Sequence, residues 1–138
     1  MLANCAGDQI RGGIADFLLD ANVPIALLRG NDDLRDFLES ADCAIDTTVY
    51  VELIQGAKNN AEVARIEKAL KTFPFIHFDL SVSIRTIELI RTYSKSHGLL
   101  LADAIIAATC LENRLKLITF NTKDFRFIRG LKISGPLA

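Results

Sequence analysis

No stretch of this chain approaches the roughly 20 consecutive apolar residues that a bilayer span requires. A membrane-spanning helix is therefore not expected, although half of the residues are apolar. The opening residues, MLANCAGDQIRGG, lack a basic start followed by an apolar stretch, so no secretory signal is expected. Cysteine is scarce. Cys5, Cys43 and Cys110 have no short spacing of the kind used by zinc or redox sites. An odd count without a signal argues for a reducing compartment, hence the cytoplasm. Cys43 and Cys110 sit in apolar surroundings and read as core residues. There is no Walker A loop, no GxGxxG and no nucleophilic elbow, which sets aside the chemistries those motifs serve. The only histidines, His77 and His97, have no paired nucleophile and read as structural. No repeat, low-complexity tract or linker divides the chain.

Charge is nearly balanced overall, at −1, but it is unevenly spread. Residues 1–50 carry nine acids against three bases, whereas residues 113–132 carry six bases against one acid, Asp124. The six are Arg114, Lys116, Lys123, Arg126, Arg129 and Lys132. Such a run is either a solvated face or a basic strip for a polyanion.

A chain of 138 residues suits one domain with a real core. Residues 1–15 are Gly-rich and aperiodic and read as a loose N-terminal extension, leaving residues 16–138 as a single domain. Short apolar runs at 16–19, 43–46, 75–78 and 115–119 predict strands, with a last edge strand at 131–133. Helices are predicted over 23–28, 32–39, 49–55, 60–73, 82–96 and 102–112. Thr47 or Thr48 is expected to cap the third of these and Ser81 the fifth, and a single helical turn is expected over 124–127. Strands separated by helices predict an α/β fold with a mainly parallel central sheet and helices on both faces.

From Leu99 to Leu111 every residue is apolar or small except Asp103. A carboxylate in so apolar a segment is costly unless it caps a helix, pairs with a base or holds a metal ion. Open α/β sheets bind ligands at the carboxyl ends of their strands. Asp20 ends the first strand and Asp124 follows the fourth. Asp103 stands near the start of the apolar helix, and Glu52 is one turn into the helix after the second strand. Each has a plainer reading: a turn residue for Asp20, a solvent-facing helix position for Glu52, helix or turn caps for Asp103 and Asp124. Together, four carboxylates on one rim repel and call for a cation. No Lys or Arg lies close in sequence to Asp20, Glu52 or Asp103. A hard divalent ion, Mg²⁺ or Mn²⁺, is the natural compensation, and such a site suits phosphodiester hydrolysis. Asn22, Thr119 and Asn121 are placed to orient the ligands.

Four segments, FLLDANVPIALLRG, TTVYVELIQGA, HGLLLADAIIAATCLEN and LKLITFNTKDFRFIRGLKI, resemble in order and spacing the signature blocks of PIN-domain ribonucleases. The nearest likeness is to VapC-type toxins of bacterial toxin–antitoxin pairs. The resemblance covers residues 16–134 and places the family's acidic residues on Asp20, Glu52, Asp103 and Asp124, with Asn22 and Asn121 as flanking polar positions. It implies a PIN-like fold, Mg²⁺- or Mn²⁺-dependent cleavage of RNA, a homodimer, and inhibition by a cognate antitoxin that fills the acidic groove. Two departures stand out: about 15 residues precede the first strand, and Ala21 stands where many members have Thr. A non-cleaving module that binds RNA or protein is the alternative. A phospho-acceptor domain with Asp20 as acceptor needs a lysine after the last strand, where Lys116 does not lie.

Overall fold

The computed structural model describes residues 15–135. The 1–15 extension, Cys5 included, therefore falls almost wholly outside the described residues. Within them the elements run β1 (Phe17–Leu19), α1 (Asn22–Leu28), α2 (Asp32–Ser40), β2 (Cys43–Asp46), α3 (Thr47–Gln55) and α4 (Asn60–Leu70). They continue with β3 (Phe75–Ile76), α5 (Leu80–His97), α6 (Leu101–Asn113), β4 (Lys116–Ile118), a 3-10 turn (Thr122–Asp124) and β5 (Ile133–Ser134). No helix among the described residues is long and apolar enough to cross a membrane.

The five strands form one sheet in the order β3-β2-β1-β4-β5, and every pairing is parallel. The chain steps outward from β1 to β2 and β3, then returns across both to place β4 on the other side of β1. Right-handed crossovers in opposite directions put their helices on opposite faces. The reversal leaves a crevice between the carboxyl ends of β1 and β4, the place where open parallel sheets bind ligands.

Leu18, Leu19, Ala44, Ile45, Leu117 and Ile118 are fully buried, because both faces of the sheet are covered. Each such Leu or Ile side chain contributes about 1.5–3 kcal/mol by leaving water. Helix α6 is enclosed along most of its length: Ala104, Ile106, Ala107, Ala108, Thr109 and Cys110 are buried, whereas Leu101 at its start is exposed. It packs against α5, α3, β1 and β4. Its small residues let the backbone approach the sheet. Cys43 and Cys110 are free and buried in this core, and burial pushes the Cys43 thiol up to about 12.

Helix ends depart from the sequence expectation. The third helix is capped not by Thr47 or Thr48 but by Asp46, whose Oδ1 accepts from Val49 N at 3.0 Å. The fifth is capped by Asp79, which accepts from Val82 N at 2.9 Å, rather than by Ser81. In each case an Asp just before the helix wins, because its carboxyl oxygen accepts from a backbone N–H of the first turn. α4 ends at Leu70 rather than Phe73, and β3 stops at Ile76, leaving His77 and Phe78 outside the ladder. The turn after β4 ends at Asp124 rather than starting there. Gly98 closes α5 at φ 72°, a left-handed position that favours glycine.

Asp46 is a fully buried carboxylate, 0% exposed. Besides capping α3 it accepts a long hydrogen bond from Thr109 Oγ1 of α6, at 3.5 Å. The Thr48 hydroxyl lies beside it, buried, without reaching hydrogen-bond geometry among the described residues. Burial pushes the Asp46 pKa up to about 7. The folded protein therefore holds this proton to higher pH than the unfolded chain, so wild-type stability falls as pH rises from roughly 4 to 8. Asp46→Asn keeps a capping oxygen and cannot ionise. Its stability relative to wild type is expected to improve over that range by about 2–4 kcal/mol, measured by urea unfolding at a series of pH values. A difference that does not move with pH would mean that Asp46 keeps its ionisation state on folding.

Candidate active site

Asp20 is the residue that follows β1, at the crevice where the strand order reverses. It is only 7% exposed. Its Oδ1 accepts from Ala21 N at 2.8 Å, and its Oδ2 accepts from Thr119 Oγ1 at 2.7 Å. Thr119 follows β4, so this bond ties together the ends of two strands that are 99 positions apart. Asn22 Nδ2 reaches both Asp20 Oδ2 and Thr119 Oγ1 at 3.4 Å. Its Oδ1 accepts from Phe120 N at 3.3 Å, and Asn121 N donates to Thr119 Oγ1 at 3.0 Å. The three polar residues named from the sequence thus form one network around Asp20. Asn121 takes part through its backbone. The missing hydroxyl at Ala21 leaves this network intact, since Ala21 contributes through its backbone N–H.

Asp103 lies in the first turn of α6. It does not cap that helix: Leu100 occupies the cap position, and no side chain caps there. The lone-cap reading of Asp103 is therefore excluded. The carboxyl is half-buried, and its pKa is pushed up to about 6, first by desolvation and then by Asp20, Asp124 and Glu52. Asp20 is raised by burial, opposed by the Thr119 and Ala21 hydrogen bonds, and raised again by Asp124. Glu52, on the exposed side of α3, is raised by desolvation and by Asp20. Four carboxylates from four segments therefore share one electrostatic field. Glu52 also lines a cavity of about 200 Å³ with Arg29 and Arg65. A roomier cavity of about 550 Å³, lined by Leu28, Leu38, Cys43 and Pro74 among others, holds none of the four.

None of the four is in an ion pair with Lys or Arg among the described residues. Their donors are hard oxygens, the set that suits Mg²⁺ or Mn²⁺. Like charges held in one field without a neutralising base fit such a cation. Among the described residues, however, no three His, Cys, Asp or Glu side chains stand at ligand spacing. The acids share a rim without being closed into a cage.

Sequence reasoning did not single out Asp46, a buried carboxyl that feels the charge of Glu52 after its own desolvation. An Asp ending an apolar strand just before a helix was the available signal. The basic strip is divided by the fold. Lys116 begins β4 and Lys132 immediately precedes β5, at the strand ends away from the acids. Lys123 lies in the 3-10 turn beside Asp124. Both histidines make ring contacts: His97 stacks on Phe127 at 4.4 Å between centroids, and His77 lies 4.5 Å from Phe75.

Two substitutions test the shared field. Asp124→Asn is expected to lower the titration midpoints of both Asp20 and Asp103, because it removes a like charge that raises each. Thr119→Val is expected to raise that of Asp20, because it removes a bond that favours the ionised form. Carboxyl carbon chemical shifts followed through a pH titration report both. Midpoints unmoved by Asp124→Asn would separate Asp124 from the cluster.

Comparison with known proteins agrees with this fold. The family model for the PIN domain matches residues 17–130. A protein named Ribonuclease VapC10 from Mycobacterium tuberculosis is 34% identical over 120 residues, spanning 83% of this chain and 90% of its own. Ribonuclease VapC1 of Rickettsia felis is 29% identical over 125 residues, spanning 84% and 92%. Among solved structures, a toxin–antitoxin complex from Klebsiella pneumoniae superposes with a TM-score of 0.72 at 36% identity, covering 86% of this chain and 96% of that one. With its parallel sheet, its switch-point Asp20 and its rim of acids, this chain belongs to the PIN domain family, among relatives named as VapC ribonucleases.

Proposed function

We propose that this chain is a divalent-metal-dependent endoribonuclease, the toxin of a toxin–antitoxin pair, acting in the cytoplasm where its RNA substrate and antitoxin would be found. The observation that carries this reading is one rim of acids: beyond desolvation, the charges of Asp20, Asp124 and Glu52 raise the Asp103 carboxyl, Asp124 raises Asp20, and Asp20 raises Glu52. The names of its relatives support the same activity. The four acids are the proposed ligands of Mg²⁺ or Mn²⁺, with Asn22, Thr119 and Asn121 orienting them. When bound, the ion compensates the clustered charge, lowers the pKa of a water and offsets charge that develops on the phosphate.

The chain's own residues supply the positioning. Thr119 and the Ala21 N–H hold the Asp20 carboxylate in one orientation at the crevice. The buried face of α6 fixes Asp103 against the sheet. A carboxylate oxygen not engaged by metal accepts the proton of the attacking water. A cognate antitoxin would silence the site by neutralising the same acids, for which an arginine is chemically suited.

Asp20→Asn and Asp103→Asn are each expected to reduce RNA cleavage by more than about 100-fold, the upper range for losing even an outer-shell partner of a metal ligand. Their melting temperatures should remain close to wild type. Cleavage should stop on chelation and return with Mg²⁺ or Mn²⁺, and manganese-soaked crystals should give an anomalous peak between Asp20 and Asp103. Full activity in both variants would sink the proposal. Tight RNA binding that ignores chelator, with no cleavage of any RNA, would instead favour a non-cleaving module.

The homodimer belongs to the same proposal. Leu80, Ile84 and Ile87 form an apolar ridge on α5 and are 77%, 51% and 56% exposed. That spacing marks one face of a helix, and it supports self-association. Ile84→Glu is expected to convert a dimer to a monomer in sedimentation; an unchanged species would place the interface elsewhere.

A further inference from the structure

Beside the acids, the rim carries an aromatic ring that the fold leaves partly exposed. Phe120 follows Thr119 directly and is 44% exposed. Among the described residues no other aromatic ring is paired with it, whereas Phe17, Phe37, Phe75 and Phe127 all have ring partners. Its backbone is held from both sides of the Asp20 network. The Phe120 N–H donates to Asn22 Oδ1 at 3.3 Å, and the next N–H, of Asn121, donates to Thr119 Oγ1 at 3.0 Å. The ring is thus mounted on a fixed backbone, one residue from the hydroxyl that orients the deepest carboxylate.

Two exposed cations follow in the chain. Lys123 lies in the 3-10 turn, and the Arg126 N–H closes onto Thr122 O at 2.9 Å. Neither is in an ion pair among the described residues. A fixed aromatic face followed by unpaired cations, next to acids suited to phosphodiester hydrolysis, has the chemistry of a single-stranded nucleic-acid site. Bases stack on the ring whatever their identity, while cations contact phosphates. A duplex offers no free base face to such a ring.

We propose that Phe120 is a base-stacking residue that positions single-stranded RNA at the acidic rim, with Lys123 and Arg126 contacting the phosphates beside it. The proposal rests on the ribonuclease reading for its substrate class, but it is tested separately. The binding assay uses the Asp20→Asn protein and a short single-stranded RNA of mixed sequence that carries a fluorescent adenine analogue. Stacking quenches the analogue. Quenching is expected with Phe120 present, retained with Phe120→Trp, and lost with Phe120→Ala, together with an affinity loss of roughly 10- to 100-fold. The same RNA as a duplex should bind more weakly and without quenching. Lys123→Ala should flatten the salt dependence of binding.

In the cleavage-competent chain, Phe120→Ala should raise KM more than it lowers kcat. An active wild type with a Phe120→Ala variant that matches it in KM, affinity and quenching would overturn the stacking role and leave the ribonuclease reading standing. A wild type that cleaves no RNA, yet binds the probe with Phe120-dependent quenching, would overturn the ribonuclease reading and leave the stacking role standing. Absence of any quenching with Phe120 present overturns the stacking role. So would a Phe120→Ala defect confined to antitoxin binding, because it would assign the ring to a protein contact.

Discussion

The hydrogen bond from Thr119 to Asp20, 2.7 Å long, joins the ends of β1 and β4. These two strands are neighbours only because the chain reverses direction across the sheet. Their pairing aligns Leu19 with Ile118, which brings the next residue on each strand, Asp20 and Thr119, to the same level. The backbone repeats the connection, since Asp20 N donates to Ile118 O at 2.9 Å. A shift of one residue in this register would take Asp20 out of level with Thr119 and break their hydrogen bond. The Asn22, Phe120 and Asn121 contacts all hang from this junction.

The other acids reach the junction on elements fixed by apolar packing. Helix α6 is anchored by the buried run from Ile106 to Cys110, which holds Asp103 near Asp20 despite their repulsion. Helix α3 is started by the buried Asp46, and that start sets the position of Glu52 farther along. Packing therefore stores an unfavourable clustering of charge that the isolated segments would disperse. Burial of hydrophobic surface is strong enough to hold it, and a hard cation is the partner that would relieve it. The stability of the core and the chemistry of the rim are in this way opposed and coupled.

The element order, the parallel α/β class and the identity of the rim acids were all legible in the chain. Apolar runs such as FLL and KLI mark buried strands, and the lone Asp103 in an apolar helix marks a carboxylate that needs compensation. Helix starts were less legible. Asp46, Thr47 and Thr48 are all good caps, and so are Asp79 and Ser81; local preference does not choose among adjacent candidates. The choice depends on where the strand lets go of its neighbour. The basic run from Arg114 to Lys132 read as one strip, yet the return of the chain toward β5 sends its members to different ends of the sheet. The burial of Asp46 is not legible locally, since its neighbours include Thr109 of α6, 63 positions away.

The sequence by itself determined which residues could be buried and which could not. Periodicity, turn residues and the isolated acids are properties of short segments, and short segments carry them without the rest of the chain. Only the tertiary structure decided that Asp20 and Thr119 meet, that Asp46 is sealed inside, and that Asp103 stands in the first turn without capping it. Those are long-range facts, set by strand order and register, and no local preference encodes them. The same holds for Phe120. In the chain it is one apolar residue between a strand and a turn, and the fold leaves it exposed beside the acids, where a ring can meet a base.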